Sequence, residues 1–265
     1  MTDADRDPLI VEHEPPIGWL VLNRPEVRNA LNMRTWARIA EGVAELDADP
    51  AIYVLVMRGA TDAAFISGAD ISEFPSLRND AAQARVYRDA PGRAIAALSN
   101  SPKPTIAMIA GLCIGGGVQV ALSCDLRIAA QGAKMGIPAA RLGLAYPFEA
   151  IESLVNTVGH ANAREILFSA RLFDAQEALS MGLVNRVVEP SRLKTFTIDY
   201  ASKIAANAPL TLRSAKRAIG EALKDAAARD RKMLEQAAAA CFDSEDYKEG
   251  VRAFLEKRSP KFSGK

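Results

Sequence analysis

Two spacings of apolar residues alternate along the first part of the chain. Gly18-Trp19-Leu20-Val21-Leu22 and Ile52-Tyr53-Val54-Leu55-Val56-Met57 are nearly continuous apolar runs, the pattern of strands buried on both faces. Between them, Met33, Trp36, Ala40, Val43 and Leu46 recur at steps of three and four, which predicts an amphipathic helix. Residues 81–99 predict a second helix, 105–111 a strand, 118–124 a short helix and 125–130 a further strand. Strands alternating with helices in this way predict an α/β fold. Beyond Ile151 the pattern becomes mainly helical. Asp174 and Glu177 have capping-box spacing, so a helix is expected to start there. One more strand-like run, residues 182–188, stops before Pro190, and helices dominate from Leu193 to Lys257. The expected organisation is a core over residues 8–190 and a helical region over 191–265. Residues 1–7 are expected to form a polar tail.

Composition narrows the function without naming it. Apolar residues make up 49% and charged residues 25% of the 265 positions, the balance of an ordinary globular protein. With 33 basic and 32 acidic residues, no overall field favours nucleic acid or membrane, so any affinity for anions must be local. No run of about 18 uninterrupted apolar residues is present, so no membrane span is expected. The N-terminus carries no apolar segment of signal-peptide type, and a cytoplasmic location is expected. Cys113, Cys124 and Cys241 are odd in number and far apart, and His13 and His160 are distant in sequence. Those spacings suit a reducing compartment and predict no metal site.

The candidate chemistry lies in two clusters of small residues. Ile114-Gly115-Gly116-Gly117-Val118-Gln119 follows a predicted strand and leads into a predicted helix. Glycines there can bring bare backbone N–H groups to a ligand, and a helix start adds unpaired donors and the positive end of the dipole. Ser67-Gly68-Ala69, within Phe65–Ile71, follows another predicted strand. Each cluster taken alone also fits a plain tight turn. Taken together they could grip one carbonyl oxygen from two sides and stabilise charge that develops on it.

At these residues the chain resembles the crotonase, or enoyl-CoA hydratase/isomerase, superfamily. Residues 23–31, Asn-Arg-Pro-Glu-Val-Arg-Asn-Ala-Leu, are similar to that family's first CoA-contacting segment. Residues 65–71 match its FxxGADI motif, and 111–125 match its second oxyanion motif with the following helix. Ala175-Gln176-Glu177-Ala178 with Gly182-Leu183-Val184, then residues 243–250 and 254–258, match later signatures. The resemblance implies a spiral of repeated ββα units with a C-terminal helical region that assembles trimers, alone or as a dimer of trimers. It implies an acyl-CoA thioester as substrate, with CoA entering as part of the substrate and no separate cofactor. It implies an oxyanion hole from the N–H groups of Ala69 and Gly116. Val27, Arg28, Ser67, Asp70 and Ile71 would contact the CoA moiety, and Phe262 would close the nucleotide pocket of an adjacent subunit. Arg28 also suits a phosphate on charge grounds, or a solvated surface position.

The chain departs from the resemblance where the acids should stand. Hydratases of this family place one glutamate two residues after the glycine run and another after a proline further on. Here those positions hold Gln119 and Ala139. Gln119 can orient a group but cannot act as a base, and Ala139 can do neither. Both are expected in the substrate pocket. Tyr146, in Leu142-Gly143-Leu144-Ala145-Tyr146, stands where members resembling methylmalonyl-CoA decarboxylase carry a functional tyrosine, although Ala69 replaces a histidine that this subgroup can carry. A decarboxylase needs no glutamate base. The leading expectation is therefore a lyase such as a decarboxylase, passing through a thioester enolate. The alternatives are a hydratase or isomerase with Glu149 as relocated acid/base, and a CoA-thioester binder without turnover. Tyr146 also fits as a packing aromatic, and Glu149 as a first-turn helix glutamate. Cys113 is expected in the core, Asp125 in a structural pairing, and Arg141 near the pocket loop. Tyr87, residues 77–90 and Tyr146 are expected to set pocket depth.

Overall fold

The computed structural model describes residues 6–77 and 80–265. A hairpin of β1 (Leu9–Glu14) and β2 (Ile17–Leu22) opens the chain and is followed by helix α1 (Met33–Ala48). A repeating path then begins. Strand β3 (Val54–Gly59) leads to the short β4 (Ala64–Ile66), and helices α2 (Phe74–Leu77), α3 (Ala81–Tyr87) and α4 (Asp89–Asn100) follow. Strand β5 (Thr105–Ile109) leads to β6 (Leu112–Ile114) and α5 (Gly116–Ser123). Strand β7 (Leu126–Ala130) leads to β8 (Lys134–Gly136), a 3₁₀ turn at Pro138–Leu142 and the long α6 (Phe148–Ser169). Strand β9 (Phe173–Asp174), α7 (Ala175–Ser180) and β10 (Arg186–Val188) close the spiral. Helices α8 (Leu193–Ala205), α9 (Pro209–Ala222), α10 (Arg231–Phe242) and α11 (Glu245–Leu255) complete the chain.

Each turn of the spiral gives one strand to a six-stranded sheet, ordered β1-β2-β3-β5-β7-β10, and its next strand to a four-stranded sheet, ordered β4-β6-β8-β9. From β2 onward neighbouring strands in each sheet pair in parallel, except β8 and β9, which are antiparallel. Both faces of the larger sheet are covered, which explains the continuous apolar runs. Leu20, Leu22, Leu55, Met57, Ala107 and Ile109 point into one core with Trp36, Ile39 and Val43 of α1 and Ala94 and Leu98 of α4. The alternate residues Trp19, Val21, Val54, Val56, Ile106 and Met108 face a second core, sealed by Leu193 and Ala201 of α8.

Several expected boundaries shift for identifiable reasons. The helix expected over 81–99 is two helices, α3 and α4. Pro91 near the start of α4 has no N–H to continue the hydrogen-bond ladder from α3. The strand expected over 182–188 is only Arg186–Val188, because Gly182 turns the chain at φ 77° and buries Leu183 and Val184 behind the turn. The strand expected over 105–111 ends at Ile109, and Gly111 turns at φ 58°. Helix α5 begins at Gly116, two residues before the expected start. Of the expected N-terminal tail, residues 1–5 lie outside the described residues. Arg6 and Asp7 are tied down, Arg6 to Glu26 at 3.1 Å and Asp7 to Arg38 at 3.3 Å.

Capping follows the residue chemistry. The Asn32 carboxamide accepts from Thr35 N–H at the start of α1, and Asp174 with Glu177 forms the capping box of α7. Asp125 accepts from Thr105 N–H at 2.7 Å and pairs with Lys216 of α9 at 2.8 Å, the structural role expected of it. Cys113 and Cys124 are buried, and burial pushes both thiols upward, Cys124 to about 12. They serve as core residues.

Two tests follow from these contacts. His13 lies between Asp49, at 2.7 Å, and Glu45, at 3.1 Å, and hydrogen bonds to Asp49 and then Glu45 raise its pKa above 6.5. Its contribution to stability is therefore present below pH 6.5 and lost as pH rises through the folded-state value. A ring-proton NMR titration should give a midpoint above 6.5, and His13→Ala should remove that part of the pH dependence. Second, a Cβ at Gly117 would lie 2.7 Å from the Ile66 carbonyl oxygen and 2.8 Å from Ile66 Cβ. Gly117→Ala should cost about 1–3 kcal/mol in urea denaturation, through overpacking between α5 and β4.

Candidate active site

The two small-residue turns meet because β4 and β6 are neighbours in the smaller sheet. Gly68 takes φ 126°, a conformation open to glycine and strained for other residues. On either side of Ala69, Leu31 N–H donates to Gly68 carbonyl at 2.8 Å, and Asp70 N–H donates to Leu31 carbonyl at 2.9 Å. Ala69 N–H lies between these two bonds and donates to no acceptor among the described residues. Gly115 has φ 52° and ψ −111° and serves as N-cap of α5. Its own N–H donates to Gly136 carbonyl at 2.8 Å. Gly116, the first residue of α5, leaves its N–H unpaired among the described residues, as a helix start requires.

Both turns open on a cavity of about 710 Å³. Ser67, Gly68, Ala69 and Ile71 line it from one turn, and Gly115, Gly116 and Gln119 from the other. Ala139, Leu142 and Leu144 line it from the 3₁₀ turn and the loop after it, with Tyr146 and Glu149 beyond. Phe74, Tyr87, Pro91 and Ile95 form the wall from α2 to α4. The cavity is thus a mostly apolar cleft with a few convergent polar groups, the usual form of a small-molecule site. Glu149 occupies the first turn of α6, a place that favours negative charge. The Tyr146 hydroxyl donates to Gly115 carbonyl at 3.0 Å, and burial pushes its pKa upward. It is therefore a protonated donor at neutral pH.

Comparisons with known proteins show the family. The family model for enoyl-CoA hydratase/isomerase matches residues 12–265. A crotonyl-CoA hydratase of Syntrophomonas wolfei is 35% identical, over 97% of this chain and 98% of that protein. The chain belongs to the enoyl-CoA hydratase/isomerase family. An (E)-benzylidenesuccinyl-CoA hydratase of Thauera aromatica is likewise 35% identical, over 97% of this chain and 99% of its own length. The crystal structure of an enoyl-CoA hydratase/carnithine racemase from Magnetospirillum magneticum superposes with a TM-score of 0.94 at 36% identity, covering 98% of this chain and 97% of that one.

Of the residues expected at an enoyl-CoA hydratase/isomerase site, the cavity unites Ser67, Ala69, Ile71, Gly116, Gln119, Ala139, Tyr146 and Glu149. Asp70 is not among its lining residues. It pairs with Arg24 at 3.1 Å and accepts from the Ser72 hydroxyl at 2.7 Å, so its side chain braces the turn. Burial pushes the Asp70 carboxyl up, but hydrogen bonds from Ser72 and Arg24, with the Arg24 charge, outweigh this and hold it below its ordinary value. Val27 and Arg28 are exposed and do not line the cavity, yet they dock on its edge. Ser67 N–H donates to Arg28 carbonyl at 3.1 Å, and Ser67 hydroxyl to Val27 carbonyl at 3.2 Å. Phe262 lies away from this cavity, beside α11, with a ring atom 3.6 Å from where a Cβ at Gly250 would stand. Arg141 is exposed and forms no ion pair with Glu149 among the described residues. Tyr87 lines the cavity as expected, while residues 78 and 79 of the expected 77–90 wall lie outside the described residues.

Trp36 has a place in the site that the helical pattern does not reveal. It is 2% exposed and counts as core, but it also lines the cavity, with ring atoms 3.5 Å from where a Cβ at Gly116 would stand. Its indole N–H finds no acceptor among the described residues. Arg85, Arg88 and Asp89 reach the cavity from α3 and α4, a convergence that no local spacing announces.

Asp70→Asn should lower stability by about 1–3 kcal/mol, since Arg24 loses a charged partner. Asp70's contribution is present above the unfolded value near 3.8 and lost as pH falls through its lowered folded value. Acid denaturation followed by circular dichroism should show that loss in the parent protein and not in the variant.

Proposed function

We propose that this protein hydrates an α,β-unsaturated acyl-CoA thioester. The Ala69 and Gly116 N–H groups would hold the thioester oxygen, and Glu149 would move the proton. As water attacks the β-carbon, Glu149 takes a proton from it, and the electron pair of the double bond moves through the α-carbon onto the thioester oxygen. The enolate then collapses as Glu149 returns the proton to the α-carbon. The two N–H groups act most strongly on that developing charge, which is where stabilisation raises the rate. The Gln119 carboxamide can accept from and donate to the attacking water, orienting it without taking its proton. The observation that carries this reading is the meeting of two unpaired N–H groups and the Glu149 carboxylate in a single cavity, where Asp89, the other lining carboxylate, stands beside Arg88 at the junction of α3 and α4. Relatives named as hydratases at similar length support it. A trimeric assembly in the cytoplasm belongs to the same proposal. The large exposed apolar side chains of Phe148, Phe168, Phe254 and Leu255 support an assembly that covers them.

A second reading, decarboxylation of a carboxylated acyl-CoA, is favoured by Gln119 and Ala139, which remove two negative charges from the site. Arg85 and Arg88, on the same cavity, could receive a substrate carboxylate. Against it stand Glu149, which would repel that carboxylate, and the Tyr146 hydroxyl, which already donates to Gly115.

Crotonyl-CoA and methylmalonyl-CoA, incubated in parallel and followed by product mass, separate the two. Hydration of crotonyl-CoA is expected, and Glu149→Gln should lower its kcat by about 10²- to 10⁴-fold with little change in KM. Carbon dioxide from methylmalonyl-CoA without hydration would replace the first reading with the second. Thioester binding without either product would overturn both.

A further inference from the structure

We propose that Tyr146 is a positioning residue that aims the Gly116 N–H at the thioester oxygen by holding the other end of the same peptide unit. The inference rests on the oxyanion reading of that N–H. The carbonyl of Gly115 and the N–H of Gly116 belong to one planar trans peptide, so they point in opposite directions and turn together. Gly115 carbonyl accepts twice: from Gln119 N–H at 3.2 Å, the first bond of α5, and from Tyr146 hydroxyl at 3.0 Å. With both lone pairs engaged, the carbonyl direction is set, and with it the direction of the N–H.

The local backbone shows why a second hold is useful. Gly115 sits at φ 52° and ψ −111°, and a glycine there restrains the 115–116 peptide less than another residue would, leaving Gln119 N–H as its one backbone hold. Gly136 carbonyl, 2.8 Å from Gly115 N, anchors the preceding peptide but not this one. Tyr146 comes from a separate segment, 31 residues on in the chain, and its ring packs against the main core. It therefore ties the oxyanion peptide to the segment between the 3₁₀ turn and α6, outside α5 in the chain. A donor on the carbonyl also draws electron density from the amide and strengthens its N–H as a donor. Burial keeps the phenol protonated, so it has no competing role as a base.

The test uses the full chain and butyryl-CoA carrying ¹³C at the thioester carbonyl, a saturated thioester with no double bond to hydrate. Infrared difference spectra of the bound carbonyl report its polarisation. In the parent protein the carbonyl band should move to lower frequency on binding. In Tyr146→Phe that displacement should shrink, while the Kd for butyryl-CoA stays within about twofold. For a thioester that is turned over, kcat should fall about tenfold with KM nearly unchanged. Replacing Tyr146 by a ring-fluorinated tyrosine, a stronger hydrogen-bond donor of nearly the same shape, should enlarge the displacement. That variant decides the matter if Tyr146→Phe does not fold. A displacement present in the parent and unchanged in both variants would overturn the role of Tyr146 and leave the oxyanion reading standing. No displacement in the parent would overturn both.

Discussion

The first turn of α5 can approach β4 only because position 117 carries a hydrogen where other residues carry a Cβ. A methyl there would meet the Ile66 carbonyl oxygen at 2.7 Å. That approach brings the Gly116 donor beside the turn that leaves β4, where Ala69 offers the other. Each donor alone is an unpaired amide at the edge of a cleft. Held at one fixed separation, they fit the proposed site for an oxygen that gains charge, since rigid donors need no reorganisation when such charge appears. The surrounding braces serve this separation. Leu31 hydrogen-bonds to the Gly68 carbonyl and the Asp70 N–H, the Arg24–Asp70 pair fastens the same turn from below, and Gly136 and Tyr146 hold the peptides on either side of Gly115.

Helix α5 is also treated differently at its two ends. Its N-terminal amides are left open toward the cavity. At its C-terminus, the buried Arg127 guanidinium donates to Cys124 carbonyl at 2.9 Å and, through Nε, to Leu183 carbonyl at 2.9 Å. A cation at the negative end of the dipole stabilises the helix and leaves the positive end free to act on a ligand. This explains the tight turn at Gly182-Leu183-Val184. It delivers the carbonyl that Arg127 needs and places Asn185 to accept from Arg127 N–H at 2.8 Å.

Much of this was legible in the chain. Runs such as Ile52–Met57 announced the two-sided sheet, and the glycines at 115–117 announced a close approach after a strand. Three strands of the smaller sheet, β4, β6 and β8, were not legible. Each has three residues, too few for a period of two to stand out, and each is defined by its neighbours in the next turn of the spiral. The same limit hid Trp36. A helical spacing of three and four marks a buried face but does not separate the part that meets other side chains from the part that meets a cavity. Asp70 shows the converse. It stands in a motif that points to ligand contact, yet the nearest strong charge in space is Arg24, 46 residues away in sequence, and that pairing turns it into a brace.

In the proposed site the residues facing the Ala69 and Gly116 N–H groups, more than those donors themselves, set what it can do. Two N–H groups would donate to any thioester oxygen and do not distinguish water addition from proton shift or loss of carbon dioxide. That distinction belongs to the charges near the α- and β-carbons. Gln119 and Ala139 remove the two acids that a water-activating site of this family would hold, so an enolate formed here meets less repulsion from neighbouring carboxylates. Glu149 then differs from a member of a matched pair. It approaches from the first turn of α6, where the helix favours its negative charge, and shares the cavity with Arg85 and Arg88 from the opposite wall. In the proposed hydration Glu149 both takes and returns the proton, which ties attack on one carbon to protonation of the next. With a matched pair of acids these tasks can be divided; in the proposed hydration the substrate would have to present both carbons to the oxygen pair of Glu149. The geometry demanded of the acyl group is therefore stricter here, and the apolar wall of Phe74, Tyr87 and Ile95 is the surface that would enforce it.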